Sequence, residues 1–147
     1  VPLLVCIFLI LADQLLKRYI VSVLPLGTSI PVVPGIFHIT YIQNPGAAFG
    51  ILENQQTFFI VIGVAILAVA GYFYPRLQQE TAWIRYGAAM LLGGAVGNLI
   101  DRIWIGRVID FLDFRIWPIF NLADIAIVCG VGCIMYAIIF QMKEKEH

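Results

Sequence analysis

Charge is the scarcest ingredient of this chain. Only 12% of its 147 residues are Asp, Glu, Lys or Arg, about half the share of an average soluble domain. Apolar residues make up 61%, and the mean hydropathy is +0.93. A soluble core of this length cannot hide so much apolar surface, which makes the protein integral to a membrane. The 9 basic and 9 acidic residues cancel, and the basic ones are scattered. No phosphate-binding stripe forms, so nucleic acid is excluded as a partner. Cysteine is nearly as sparse. Cys6 lies in the first apolar run, while Cys129 and Cys133 lie one helical turn apart in the last. Three thiols in such runs read as small packing residues, not as a disulfide framework. Of the two histidines, His38 stands alone and His147 is terminal, so no Cys/His cluster has metal-ligand spacing. Ser22 and Ser29 have no base beside them in sequence, and no serine, cysteine or lysine arrangement makes a convincing nucleophile.

What the chain does have is long apolar runs. Four of them, at about 1–23, 58–74, 83–103 and 118–142, approach the roughly 20 residues that a spanning helix needs. The second stops at Pro75-Arg76. The third carries Gly87, Gly93, Gly94 and Gly97, suited to close helix approach. The fourth begins at Pro118, a residue favoured in a helix's first turn. The first lacks a basic leader and a clear cleavage site and carries Asp13 and Lys17, so it reads as a retained transmembrane helix, not a signal peptide. The lack of an initiator before Val1 predicts further residues upstream. Between the runs, residues 25–54 hold four prolines and four glycines. Within them Ile36 to Gln43 is β-branched and aromatic and predicts short strands. Residues 104–117 are also non-helical. The fold class that follows is a membrane all-α protein with a small β platform, in which four transmembrane helices and one β-rich segment form a single integral domain.

With four spans, the two non-helical segments fall on one side of the membrane and the termini on the other. Basic residues on the termini side are Arg76, Arg85, Lys143 and Lys145, against Lys17, Arg18, Arg102, Arg107 and Arg115 on the platform side. Counted naively, this puts the platform in the cytoplasm. The platform side also holds Asp13, Glu53, Asp101, Asp110, Asp113 and Asp124 as partners, so charge alone leaves the topology open.

The few polar residues within the runs are grouped. Asn98, Asp101 and Arg102 are spaced to share one helix face near the end of the third run. Asn121 and Asp124 repeat the three-residue spacing at the start of the fourth, and Asp13 and Lys17 lie four apart in the first. Antiparallel spans bring these groups to one depth, where they can converge on a polar pocket. Asn98, Asp13 and Lys17 can equally serve as hydrogen-bond glue between helices. Asp110 and Asp124 are harder to explain as structure. Both are flanked by large apolar residues, and an ionised carboxylate near lipid faces a wet cavity, finds a partner or does chemistry. Asp124 has some structural justification, since the dipole of a helix's first turn favours negative charge. Two neighbouring carboxylates cannot both ionise readily and share a proton. One can then take a proton from water while its protonated partner polarises a carbonyl, which is the apparatus of an acid–base hydrolase.

Four ordered blocks, Asn44-Pro-Gly-Ala-Ala-Phe-Gly50, Gly93-Gly-Ala-Val-Gly-Asn-Leu-Ile-Asp-Arg102, Gly106-Arg-Val-Ile-Asp-Phe111 and Phe120-Asn-Leu-Ala-Asp124, together with Asp13 and Lys17, resemble the lipoprotein signal peptidase family, also called signal peptidase II. The resemblance covers essentially the whole chain. It implies a bacterial inner-membrane aspartyl endopeptidase that removes signal peptides just before a diacylglyceryl-cysteine. By motif, Asp110 and Asp124 are its catalytic pair. Asn44, Asn98, Asp101, Arg102 and Asn121 line or brace the site, and Asp13 and Lys17 are a supporting pair. Asn44 and Arg102 are candidate donors to substrate backbone or lipid ester, and Gly46 and Gly50 would let a backbone approach closely. The family topology places both termini in the cytoplasm and the platform outside. The implied partners are the prolipoprotein signal peptide and membrane lipid, with no metal or organic cofactor, and the chain is expected to act as a monomer. The stretch between Asp110 and Asp124 is shorter than the family pattern leads one to expect, which bears on the loop and not on the pair. A rival reading, a small proton-coupled transporter or channel subunit, would also use intramembrane carboxylates. Against it stand the absence of an internal repeat and the clustering of polar residues at one membrane face.

Overall fold

A computed structural model of the chain describes residues 1–47 and 52–141. Residues 48–51, which include Gly50, and residues 142–147, which include the expected end of the fourth run at 142, lie outside the described residues. The elements are α1 (Pro2–Val23), β1 (Ser29–Val33), β2 (Phe37–Asn44), α2 (Gln56–Leu77), α3 (Ala82–Trp104), β3 (Val108–Asp113) and α4 (Leu122–Tyr136). A wider π-type turn, Ala137–Gln141, follows α4. The fold is thus mostly helical with one small antiparallel sheet, ordered β1-β2-β3.

Local chemistry sets the boundaries. Pro2 opens α1 in its first turn, and α1 ends at Leu24, extended at φ −121° and ψ 130° before Pro25. Gly106, at φ 73°, closes α3 by donating its backbone N–H to the Arg102 carbonyl at 3.1 Å. That left-handed residue turns the chain straight back into β3. The chain then doubles back again: Phe120 donates to and accepts from Leu112, at 3.1 and 2.8 Å. Pro118 therefore lies in this return and does not open α4, contrary to the sequence expectation. Asn121 opens it instead, through a reciprocal cap. Its side chain accepts from the Asp124 backbone N–H at 2.9 Å, and Asp124 Oδ2 accepts from the Asn121 backbone N–H at 3.2 Å. Two otherwise orphaned donors are satisfied at once, which outweighs the preference of proline for a first turn. The second helix also departs from expectation, because α2 continues through Pro75 to Leu77. So near the helix end, the proline forfeits only the bond to the Gly71 carbonyl.

Among the described residues, two helical segments are long and apolar enough to cross a membrane, Gln56–Leu77 and Leu122–Phe140. Four were expected. Asp13, Lys17 and Arg18 lower the apolar character of α1, and glycines with Arg85 and Asn98 dilute that of α3. Most of the polarity of α1 and α3 is turned inward, with Arg18 exposed. The largest fully buried side chains are Lys17, Asn121, Asp13 and Asp110, whereas α2 buries no residue. α3 is the hub and packs on α1, α2 and α4. A small apolar core of Ile20, Leu24, Tyr41, Ile109 and Phe111 fixes the sheet to the end of α1. Because strand side chains alternate, packing Ile109 and Phe111 on that core turns Asp110 to the opposite face.

Close contact between α3 and α4 depends on Gly94, where a Cβ would collide with the Ala123 carbonyl and sit 2.8 Å from Ile127 Cγ1. Backbone is the obstacle, so the helices must separate. Gly94→Ala is expected to cost about 1–3 kcal/mol, visible as a lowered melting temperature in detergent. An unchanged midpoint would show that α4 shifts freely.

Candidate active site

Asp110 enters the site from β3 and Asp124 from the first turn of α4. Each has both carboxylate oxygens held. Asp110 Oδ1 accepts from Asn121 Nδ2 at 2.7 Å, and Oδ2 accepts from Asn44 Nδ2 at 3.1 Å. Asp124 Oδ1 accepts from Asn98 Nδ2 at 2.8 Å, and its Oδ2 completes the cap described above. Asn121, fully buried, ties the two together. Its Nδ2 also reaches Asn98 Oδ1 at 3.0 Å and the Ile109 carbonyl at 3.2 Å. Burial, then the neighbouring charge of Asp124, push the Asp110 carboxyl from 3.8 up to about 7, against the opposing hydrogen bond from Asn44. A carboxyl so placed keeps its proton up to near-neutral pH.

Both aspartates line a cleft of about 410 Å³ between α2, α3 and α4. Asn44, Gly46, Asn98 and Arg102 share its polar end, and Ile62, Gly63, Ile66, Ile127 and Val128 make its apolar walls. Arg102 lies with Cζ 4.6 Å above the Phe59 ring and Nη2 3.4 Å from the Gly46 carbonyl, a long hydrogen bond. Its Nε is buried with no partner among the described residues, so a donor is left over. The Gly46 backbone N–H donates to Asn44 Oδ1 at 2.9 Å, which fixes the amide that faces Asp110.

Asp13, Lys17 and Asp101 do not line the cleft. They form a dry cluster behind it, with Lys17 Nζ 2.8 Å from both Asp13 Oδ2 and Asp101 Oδ2. Lys17 also donates to Asn98 Oδ1 at 3.1 Å, so Asn98 joins the cluster to Asp124. Asp13 accepts from the Ala123 backbone N–H at 2.9 Å and Asp101 from that of Ile109 at 3.1 Å. The cluster therefore pins the starts of α4 and β3, the two elements that carry the aspartates. The expected single polar face of Asn98, Asp101 and Arg102 divides in two. Asp101 and Arg102 are adjacent, about 100° apart around the helix, so the first faces α1 and the second the cleft.

Sequence reasoning missed Gln14 and Phe59. Gln14 Nε2 lies 3.0 Å from both Asp101 Oδ1 and the Gly97 carbonyl. An amide beside Asp13 in an apolar run was the available signal. Phe59 had none, since a phenylalanine in a lipid-facing helix looks like any other. Ser29, lacking a neighbouring base in sequence, has a spatial one: its Oγ is 3.0 Å from His38 Nδ1 and 2.7 Å from Thr40 Oγ1. Thr40 in turn donates to Asp113 at 2.7 Å. None of these four lines the cleft. Among the described residues, no group of three His, Cys, Asp or Glu side chains is placed to hold a metal ion.

The family model described as signal peptidase (SPase) II matches residues 5–140. The lipoprotein signal peptidase of Pelotomaculum thermopropionicum is 47% identical over 132 residues, covering 88% of this chain and 86% of that protein. That of Moorella thermoacetica is 46% identical over 147 residues, covering 98% and 97%. A solved structure described as a bacterial membrane enzyme superposes with a TM-score of 0.91 at 36% identity, covering 98% of this chain and 90% of its own.

Proposed function

The chain belongs to the signal peptidase II family, and from that premise we propose that it is a membrane-embedded aspartyl endopeptidase acting on diacylglyceryl-modified prolipoproteins. Cleavage falls just before the lipidated cysteine. The observation that carries the mechanism is the joining of Asp110 and Asp124 through Asn121 at the polar end of an otherwise apolar cleft. Asp110 holds the shared proton and donates it to the scissile carbonyl oxygen, while Asp124 takes a proton from the attacking water. Asn44 and the spare Arg102 Nε–H are the donors for substrate backbone or lipid ester. The apolar wall between α2 and α4 receives acyl chains or the signal helix from the side, and the peptide lies against the sheet.

In this reading the whole chain is one domain with four spanning helices, active as a monomer. α1 and α3 cross with α2 and α4 because Asp13, Lys17 and Asp101 face each other and not lipid. The termini and the α2–α3 connection are cytoplasmic, and the sheet lies outside. The test of activity is cleavage of a diacylglyceryl-modified prolipopeptide by purified protein in detergent. The product should end before the modified cysteine, and the unmodified peptide should remain intact. An ion flux through reconstituted protein that required Asp124 would instead favour the transporter reading. For topology, a cysteine at Thr28 should react with an impermeant thiol reagent on intact spheroplasts. One at Gln79 should react only after permeabilisation, in a background with Cys6, Cys129 and Cys133 changed to alanine. The reverse pattern would put the site in the wrong compartment.

The raised Asp110 carboxyl predicts a pH profile. Cleavage should fall as pH rises through about 7, because the required proton is lost. Stability follows the same group. Its folded value lies above the unfolded one, so between 3.8 and about 7 the folded state binds more protons. Stability therefore declines as pH rises across that window and levels off above it. Asp110→Asn should remove that slope. Cleavage that keeps rising well above pH 7 would assign the proton elsewhere.

A further inference from the structure

We propose that a crevice at the end of the bundle opposite the sheet binds an anionic phospholipid, with Arg85 taking its phosphate and the slot between α1, α2 and α3 taking an acyl chain. The crevice has a volume of about 200 Å³ and is walled by Cys6 of α1, Leu67, Ala70 and Gly71 of α2, and Ala88 and Leu92 of α3. Arg85 is the charged residue on this wall among the described residues. Among the described residues its Nε is buried with no hydrogen-bond partner, as is the Thr81 hydroxyl one turn earlier, and it makes no ion pair. Tyr74 and Gln78, both exposed, also line it.

A guanidinium with no ion pair among the described residues, at the edge of an apolar slot between helices, matches a molecule with an anionic head and a hydrocarbon tail. The planar fork of arginine fits phosphate oxygens, and basic pockets between helices on the cytoplasmic side suit anionic lipid headgroups. A soluble anion would leave the slot unfilled, and a neutral helix would leave Arg85 unpaired. The inference rests on the membrane-embedded reading above but not on the aspartate pair, so it is tested in Asp110→Asn protein as well as in the unaltered chain.

Thermal unfolding is followed in detergent with added phosphatidylglycerol or phosphatidylcholine of the same acyl chains, and retained lipid is counted by native mass spectrometry. Phosphatidylglycerol should raise the midpoint and be retained with several-fold preference, while inorganic phosphate leaves the midpoint unchanged. Arg85→Gln should abolish the preference. Gly71→Leu should abolish retention of both lipids by filling the slot, since a Cβ there meets nothing within 4 Å. Equal retention of the two lipids, or a preference that survives Arg85→Gln, overturns the proposal. It is also overturned if Glu144→Gln with Glu146→Gln lowers the lipid-free midpoint as Arg85→Gln does, which would give Arg85 to the chain's own tail.

Discussion

Asp110→Asn and Asp124→Asn, made singly, are each expected to stop cleavage while leaving the protein folded. A positioned acid or base contributes about 10²–10⁴-fold, and members of a unit that share one proton cannot substitute for each other, so either loss should approach the loss of both. Folding should survive because the change is nearly isosteric. At position 124 an amide oxygen can still accept from the Asn121 backbone N–H and keep the cap that starts α4. At position 110 one amide oxygen remains for Asn121, and a neutral amide replaces a carboxyl that already carries its proton. The readout pairs the cleavage rate with the melting midpoint for each variant. Asp101→Asn is the control. Its oxygens are already taken by Lys17, Gln14 and the Ile109 N–H, so it should lose stability more than chemistry. A stable but inactive Asp101→Asn beside an active Asp110→Asn would reassign the catalytic partner of Asp124.

Much of this site could be read before folding because polar residues are so few. In a chain with 12% charged residues, Asp13, Lys17, Asn98, Asp101, Asp110 and Asp124 identify themselves by their cost in an apolar setting. What spacing could not supply was which way each one faces. The period of a helix groups Asn98 with Asp101 and with Arg102, yet it cannot say that Asn98 sits at the divide, with one amide atom toward Lys17 and the other toward Asp124. Asn121 and Asp124 were legible as a three-residue repeat and misread as a helix face. The same spacing is that of a reciprocal cap, and recognising it would have moved the start of α4 from Pro118 to Leu122. The mostly helical class and the small sheet followed from the apolar runs and the β-branched stretch at Ile36 to Gln43. The pairing of Ile42 with Asp110 across β2 and β3 was out of reach, because the two lie far apart in sequence and a long-range register leaves no local signature.

Lys17→Met should be among the most damaging single changes, at about 3–5 kcal/mol. Lys17 is 1% exposed, and its ammonium meets three acceptors, one carboxylate oxygen each from Asp13 and Asp101 and the Asn98 carbonyl. That matches its three donors. Methionine fills similar volume but leaves two carboxylates facing each other in a dry site. The damage would extend to the site, because Asp13 holds the Ala123 N–H, Asp101 holds the Ile109 N–H and Asn98 holds Asp124. Simply deleting the charges with leucines would orphan those backbone donors. The informative rescue is Lys17→Met combined with Asp13→Asn and Asp101→Asn, which removes all three charges and keeps an oxygen for each N–H. Most of the lost stability should return in this triple variant. Cleavage per folded molecule should return with it, which a catalytic lysine would not allow. If Lys17→Met melts with the parent, or the triple variant is folded but inert, the cluster is not the scaffold described here and Lys17 acts on the substrate itself.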